Sequence, residues 1–174
     1  NLALLLERQD LAESCAMAVR ILDNTIELTV TPVQESNRHN HIYRTIGVGA
    51  MGFADYLAHK ELVYGSPESV SEADKLFEWI AYHAVQASME LSRDRGAYPK
   101  FEGSDWSKGI CFGRDGEALK ANTHLGNRWE VLISDIQKHG IRNSQLLAIA
   151  PNTSSALVQG CTSSVMPIFN KFYL

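Results

Sequence analysis

The chain has 174 residues, of which 45% are hydrophobic and 21% charged, and its formal net charge is -4. These values are typical of a globular protein with a hydrophobic core, and the acidic balance argues against nucleic acid as a partner, since nucleic-acid-binding proteins are usually basic. No apolar run reaches the roughly 18 residues that a membrane span needs, and no signal peptide is recognised. Three widely spaced cysteines, Cys15, Cys111 and Cys161, favour a reducing compartment such as the cytoplasm.

The first predicted elements are a helix, a loop and a strand. Apolar residues recur with a 3.6-residue period over 11–28, and Asp10 is a suitable N-cap, so this segment is predicted to be helical. The polar stretch 35–41 (ESNRHNH) lacks that period and is predicted to be a loop. Residues 43–48 favour a short strand, after which GVGAMG leads into a predicted helix over FADYLAHK.

The longest predicted element is a helix over residues 66–95. Ser66-Pro67 has the pattern of an N-cap followed by proline in the first turn, and Gly96 follows the last turn. One face carries a continuous apolar stripe, which consists of Leu76, Ile80, Ala84, Ala87 and Leu91.

The later elements are predicted to be loops, two helices and a strand. Glycine-rich loops occupy 97–126, with a short helix near Glu117–Asn122. Asn127 is predicted to cap a further helix, which ends at Gly140. Its apolar face consists of Trp129, Leu132, Ile133 and Ile136. The run 144–150 has the length of a buried parallel strand, so the predicted fold class is α/β and helix-rich.

Gly47–Gly52 (GVGAMG) has the G-x-G-x-x-G spacing of a dinucleotide-binding turn, between a predicted strand and a predicted helix. About 20 residues further on, such a site needs a strand that ends in an acidic residue. The helix start Ser66-Pro67-Glu68 lies there instead. We therefore interpret the glycines as a close strand-to-helix turn, and a nicotinamide or flavin dinucleotide-binding domain stays the alternative.

The histidines do not predict a metal site, because no carboxylate or cysteine stands at ligand spacing and no H-E-x-x-H motif occurs. We interpret them as packed or solvated side chains. They are His39, His41, His59, His83, His124 and His139.

Ile149–Gly160 (IAPNTSSALVQG) leads from the last predicted strand into a predicted helix start. The first backbone N–H groups of a helix have no partner inside it, and with the helix dipole they favour an anion, commonly phosphate. The hydroxyl groups of Thr153, Ser154 and Ser155 add further donors. Plain N-capping by Asn152 or Thr153 explains the same residues without a ligand, so the chemistry leaves both interpretations open.

Three stretches of the sequence form a recognisable series. They are RTIGVGAMGFADYL (Arg44–Leu57), ASMELSRDRGAYPKFEGS (Ala87–Ser104) and HGIRNSQLLAIAPNTSSALVQG (His139–Gly160). Together they resemble the large, catalytic subunit of ribonucleotide reductases, over nearly the whole chain. The resemblance implies that residues 1–174 are a single partial domain, the later part of a ten-stranded α/β barrel. A start without Met and an apolar end agree with a piece of a longer protein.

The resemblance also implies a reaction and a binding loop. The family replaces the 2′-hydroxyl group of a ribonucleoside di- or triphosphate by hydrogen, using a cysteine thiyl radical. Its substrate phosphate loop corresponds here to Asn152, Thr153, Ser154 and Ser155. No catalytic residue is expected within this fragment, because the N-x-C-x-E pattern of the radical cysteine is missing and Cys15 lies on an apolar helix stripe.

For the longer parent protein, the resemblance implies further partners. These are the remainder of the alpha subunit, a small beta subunit and a thioredoxin-type reductant. A metal-carrying small subunit is favoured over adenosylcobalamin as the radical generator, and no cofactor or metal is expected on this fragment. A helical interaction module that presents Leu76–Leu91 to a partner is a third interpretation of the sequence.

Overall fold

The computed structural model describes residues 1–4 and 9–170, and the chain divides into two compact units. The larger unit consists of Ala12–Val48 and Phe77–Leu147. The smaller unit consists of Asn1–Leu11, Gly49–Leu76 and Ala148–Leu174. Both units are therefore assembled from separate stretches of the chain.

The first helix, α1, spans Leu11–Leu28, as its apolar period predicts. Cys15 and Val19 on its inner face are buried, with 5% and 0% of their surface exposed. Asp23, one turn further along that face, is also completely buried. A carboxylate in this position needs charged or hydrogen-bonding partners, because an unpaired buried charge is strongly unfavourable.

The prediction of a loop at 35–41 is wrong, since these residues belong to a helix, α2, over Gln34–Tyr43. The helix has no buried residue, so it lacks the apolar face from which a 3.6-residue period is recognised. Within it, His41 Nδ1 lies 2.9 Å from the carbonyl oxygen of Asn37. Arg44 ends the helix in a left-handed conformation with φ of 49°.

Two helices lie where the sequence predicts them, α3 at Phe53–His59 and α4 at Pro67–Arg95. Ser66 caps α4, because its Oγ accepts a hydrogen bond from Ser69 N–H at 3.2 Å. Gly96 follows the last turn with φ of 82°, a conformation that favours glycine. The predicted stripe of α4 is buried throughout and does not offer the exposed face that an interaction module requires.

The next two helices are α5 at Gly116–Asn122 and α6 at Asn127–His139. The predicted apolar face of α6 is buried, including Trp129 at 2% exposure. The predicted capping role of Asn127 is wrong, because Asn127 is already helical and Gly126 holds the cap position. The backbone there, with φ of 42° and ψ of -111°, favours glycine over any residue with a side chain.

A carboxylate that the sequence does not single out fixes the loop before α6. Glu78 of α4 accepts hydrogen bonds from the backbone N–H groups of His124 and Leu125, both at 2.8 Å. It also accepts one from Trp129 Nε1 at 3.0 Å, so this buried indole has a partner for its polar group.

The two predicted strands meet in a parallel β-bridge between Val48 and Leu147. Val48 N–H donates to the carbonyl oxygen of Leu146 at 2.7 Å, and Ile46 N–H donates to that of Gln145 at 3.0 Å. Within residues 1–4 and 9–170, no strand longer than this bridge forms, and each of the two segments has only the other as a strand-pairing partner. The helix-rich architecture and the parallel pairing agree with the sequence prediction.

Asp23 is the centre of a buried polar network in the larger unit. Its Oδ1 accepts hydrogen bonds from Arg44 Nε at 2.9 Å, Arg44 Nη2 at 2.8 Å and Asn143 Nδ2 at 3.2 Å. Its Oδ2 lies 3.1 Å from Arg95 Nη1 and 3.4 Å from Arg142 Nε. Burial acts to raise the pKa of Asp23, but the hydrogen bonds and charges of these partners hold that pKa below its ordinary value.

We predict that Asp23→Asn lowers the free energy of unfolding by about 3–5 kcal/mol, the usual range when a buried ion pair loses one charge. The physical reason is that Arg44, only 3% exposed, loses its buried carboxylate partner and keeps only Glu27, whose side chain is half exposed to solvent. Denaturant-induced unfolding of the two chains measures the difference. The matched control is Asp94→Asn on the exposed end of α4, with an expected change within about 0.5 kcal/mol. A similar small change for Asp23→Asn contradicts the prediction.

The same carboxylate predicts a pH dependence of stability. The pKa of Asp23 is lowered in the folded state relative to the unfolded value of about 3.9. The stabilisation that the ionised Asp23 carboxylate gives to the folded state is therefore complete above the unfolded pKa, and it is lost as the pH falls through the folded pKa. The stability difference between the wild type and Asp23→Asn should stay constant from about pH 5 to 7 and shrink below about pH 4. A difference that shrinks between pH 5 and 7 contradicts this assignment.

Candidate functional site

The predicted phosphate loop lies in the smaller unit, at the start of the helix α7. This helix spans Thr153–Gln159 and begins directly after Asn152. The three hydroxyl residues at 153–155 are exposed, whereas Ala156 is only 1% exposed. The helix therefore buries its Ala156 side and directs its hydroxyl groups outward.

The first N–H groups of α7 have no acceptor in the part of the chain that the structure describes. The first hydrogen bond inside the helix runs from Ala156 N–H to the carbonyl oxygen of Asn152, at 2.9 Å. The N–H groups of residues 153–155 precede that bond and find no partner among the described residues. Exposed N–H and O–H donors thus lie side by side, an arrangement suited to an anion.

Asn152 is at the N-cap position, yet its side chain makes no capping hydrogen bond. Its Nδ2 donates to the carbonyl oxygen of Ala50 at 3.1 Å, and its Oδ1 accepts from Ser164 N–H at 2.8 Å. The backbone of Asn152 is left-handed, with φ of 36° and ψ of 33°. Capping by this side chain therefore does not explain the tract, and Thr153 is the first helical residue rather than the cap.

Gly47–Gly52 forms a close structural turn. A Cβ atom on Gly49 would lie 2.4 Å from the carbonyl oxygen of Ala148, so a side chain there would collide with the backbone. Gly52 has φ of 76°, and its N–H donates to the carbonyl oxygen of Thr162 at 2.7 Å. Because protein atoms already occupy the start of α3, the geometry favours the structural interpretation over a dinucleotide site.

Sequence reasoning missed Asp55, which holds the loop after α7. Its Oδ2 accepts a hydrogen bond from Thr162 N–H at 2.6 Å. The two residues lie 107 positions apart, so no local period or spacing could have paired them. Together with Gly52, Asp55 fixes both polar backbone groups of Thr162.

The three cysteines carry free thiols in the folded chain. Cys15 and Cys111 are buried, and burial raises the pKa of Cys15 to about 11 and that of Cys111 to about 12. Both are therefore thiols at neutral pH and suit the packing role predicted for Cys15. Cys161 is partly exposed, and burial raises its pKa as well.

The histidines make local contacts. His59 Nδ1 lies 2.8 Å from the carbonyl oxygen of Asp55, and the ring of His83 stacks on Trp79 with centroids 5.3 Å apart. Burial lowers the pKa of His83. Among residues 1–4 and 9–170, no three His, Cys, Asp or Glu side chains are placed to share a metal ion, and no helix is long and apolar enough to span a membrane.

The chain resembles curated proteins that are several times longer. It is 53% identical to the ribonucleoside-diphosphate reductase subunit alpha of Synechocystis sp., over 97% of this chain and 22% of that protein. The subunit alpha of Treponema pallidum is 38% identical over 95% of this chain and 19% of its own length. The subunit alpha of Chlamydia muridarum is 36% identical over 97% of this chain and 17% of its own length. The chain spans about a fifth of the length of these relatives.

The family model described as the ribonucleotide reductase barrel domain matches residues 3–174, which include the glycine turn, the parallel bridge and the hydroxyl tract. With a match over nearly its whole length and relatives above 30% identity, the chain belongs to the ribonucleotide reductase barrel-domain family.

Proposed function

We propose that this chain is part of a ribonucleoside-diphosphate reductase subunit alpha and that it contributes the substrate phosphate loop. The supporting observation is the exposed start of α7, where N–H and hydroxyl donors without acceptors among the described residues lie together. The parent enzyme reduces ribonucleotides to deoxyribonucleotides, and the relatives' name favours a diphosphate substrate.

In the proposed complex, Thr153, Ser154 and Ser155 hold the phosphate oxygens through their N–H and hydroxyl groups, with Asn152 completing the loop. The positive end of the α7 dipole favours the anion, although a helix of this length contributes little by itself. Each charge-assisted hydrogen bond adds on the order of 1.5–3 kcal/mol. The loop therefore anchors one end of the substrate without taking part in bond breaking.

The radical chemistry is assigned to other parts of the parent protein. Cys15 and Cys111 are buried thiols, and we give Cys161 no redox role. We propose that residues 1–174 are one partial domain of a ten-stranded α/β barrel, completed by the remainder of the alpha subunit. No residue of this chain is assigned to a metal or cofactor.

The parent is expected to act in the cytoplasm with a small beta subunit and a thioredoxin-type reductant. A metal-carrying small subunit is favoured over adenosylcobalamin as its radical generator. That generator supplies the oxidising equivalent that forms the thiyl radical.

If the loop binds the substrate phosphate as proposed, removing its hydroxyl groups should weaken substrate binding. In the complete alpha subunit, Ser154→Ala combined with Ser155→Ala should raise KM for the ribonucleotide about tenfold or more, because the loss of one such hydrogen bond already corresponds to that factor. The kcat value should change little, since these groups bind the substrate equally before and during the reaction. Steady-state assays with saturating reductant measure both constants.

The matched control is Ser71→Ala, an exposed serine on α4 of the smaller unit, which should leave both constants unchanged. If the double variant has the KM of the wild type, the hydroxyl groups do not bind phosphate and the proposed site is wrong.

A further inference from the structure

Asn152 joins three separate stretches of the smaller unit through one side chain. Its Nδ2 reaches Ala50 in the glycine turn, and its Oδ1 receives the N–H of Ser164 in the loop after α7. Ser164 is 3% exposed, so its backbone N–H depends on a protein acceptor. The amide of Asn152 thus has both its donor and its acceptor group engaged with main-chain atoms.

The stretches on either side of this side chain are themselves closely packed. A Cβ atom added to Gly49 would collide with the carbonyl oxygen of Ala148, so the glycine turn packs closely against the residues that lead into Asn152. Asn152 and Ser164 both have left-handed backbones, with φ of 36° and 51°. Asn adopts this conformation more easily than most residues, and its side chain stabilises the turn from which α7 starts.

The backbone of Asn152 determines where α7 begins, because its carbonyl oxygen accepts the first helical hydrogen bond from Ala156. Any rotation of residue 152 therefore changes the direction of the N–H groups at 153–155. The hydrogen bonds to Ala50 and from Ser164 oppose such a rotation from two sides.

We propose that Asn152 is a positioning residue: its side chain does not bind the phosphate but holds the hydroxyl tract in its binding conformation before the substrate arrives. This inference rests on the proposed phosphate function of the tract. In this proposal, the groups that donate hydrogen bonds to the phosphate belong to residues 153–155, and Asn152 holds the backbone of these residues in place. The position of Asn152 in the sequence of the loop does not by itself indicate this supporting role.

Two substitutions in the complete alpha subunit test this role. Asn152→Gly keeps the left-handed backbone accessible but removes both side-chain hydrogen bonds. Asn152→Asp keeps the acceptor for Ser164 N–H and loses the donor to Ala50. Glu61→Gly is the matched control, because Glu61 is exposed and also left-handed, with φ of 57°.

The first readout is amide hydrogen exchange at Ser164 without substrate. Asn152→Gly should speed this exchange about tenfold, through easier local opening, whereas Asn152→Asp and Glu61→Gly should leave it slow. The second readout is steady-state kinetics. Asn152→Gly should raise KM about tenfold with kcat changed less than about twofold, because a misplaced tract weakens binding and leaves the reacting groups in place.

A raised KM with unchanged exchange at Ser164 overturns the proposal, since it identifies Asn152 as a direct ligand. Unchanged exchange and unchanged KM overturn it as well. A third result is that Asn152→Gly accelerates the exchange at Ser164 while the variant with both Ser154→Ala and Ser155→Ala keeps the wild-type KM. In that case the Asn152 side chain does stabilise the loops, but the proposed phosphate function is wrong. The two claims are thereby tested separately.

Discussion

The buried carboxylate of Asp23 is the constraint around which the larger unit is arranged. A carboxylate without solvent contact is tolerated only when its oxygens are saturated with donors. Here Arg44 and Asn143 donate to Oδ1, and Arg95 and Arg142 lie against Oδ2, all from distant parts of the sequence. Burial and pairing oppose each other in setting the pKa of Asp23, and pairing prevails. The network therefore requires several elements to be in place together.

This requirement fixes the register of the parallel bridge. Arg44 and Asn143 immediately precede the two bridged segments, and Asn143 Nδ2 also donates to the carbonyl oxygen of Arg44 at 3.0 Å. Ser88 of α4 exchanges hydrogen bonds with Asn143, at 2.9 Å and 3.0 Å. A shift of one residue in the pairing would separate these groups, so the polar network specifies the alignment where a short apolar pair alone would not.

In the smaller unit, hydrogen bonds from main-chain N–H groups to side chains hold the loops in place in a similar way. Asn152 and Asp55 each secure the backbone of the loop after α7, at Ser164 and Thr162. The N–H groups of residues 153–155 have no acceptor among the described residues. In the function proposed for the parent, this separation of tasks makes chemical sense, because a binding loop discriminates best when its donors are rigid and its supports are not themselves ligands.

Local sequence patterns were sufficient for α1, α4 and α6, because each buries one face and therefore carries an apolar period. They failed for α2, which buries nothing, and for the cap of α6, where backbone conformation rather than side-chain chemistry selected Gly126. The family was also accessible from sequence, since its motifs are contiguous stretches of residues.

The sequence by itself thus determined the family, the amphipathic helices and the position of the hydroxyl tract, all of which depend on residues close together along the chain. Only the tertiary structure decided which polar side chains are structural. Asp23 is paired with Asn143, Glu78 with Trp129, and Asn152 with Ala50 and Ser164. The physical reason is that a hydrogen bond depends on distance in space, and these partners come together only when the chain has folded.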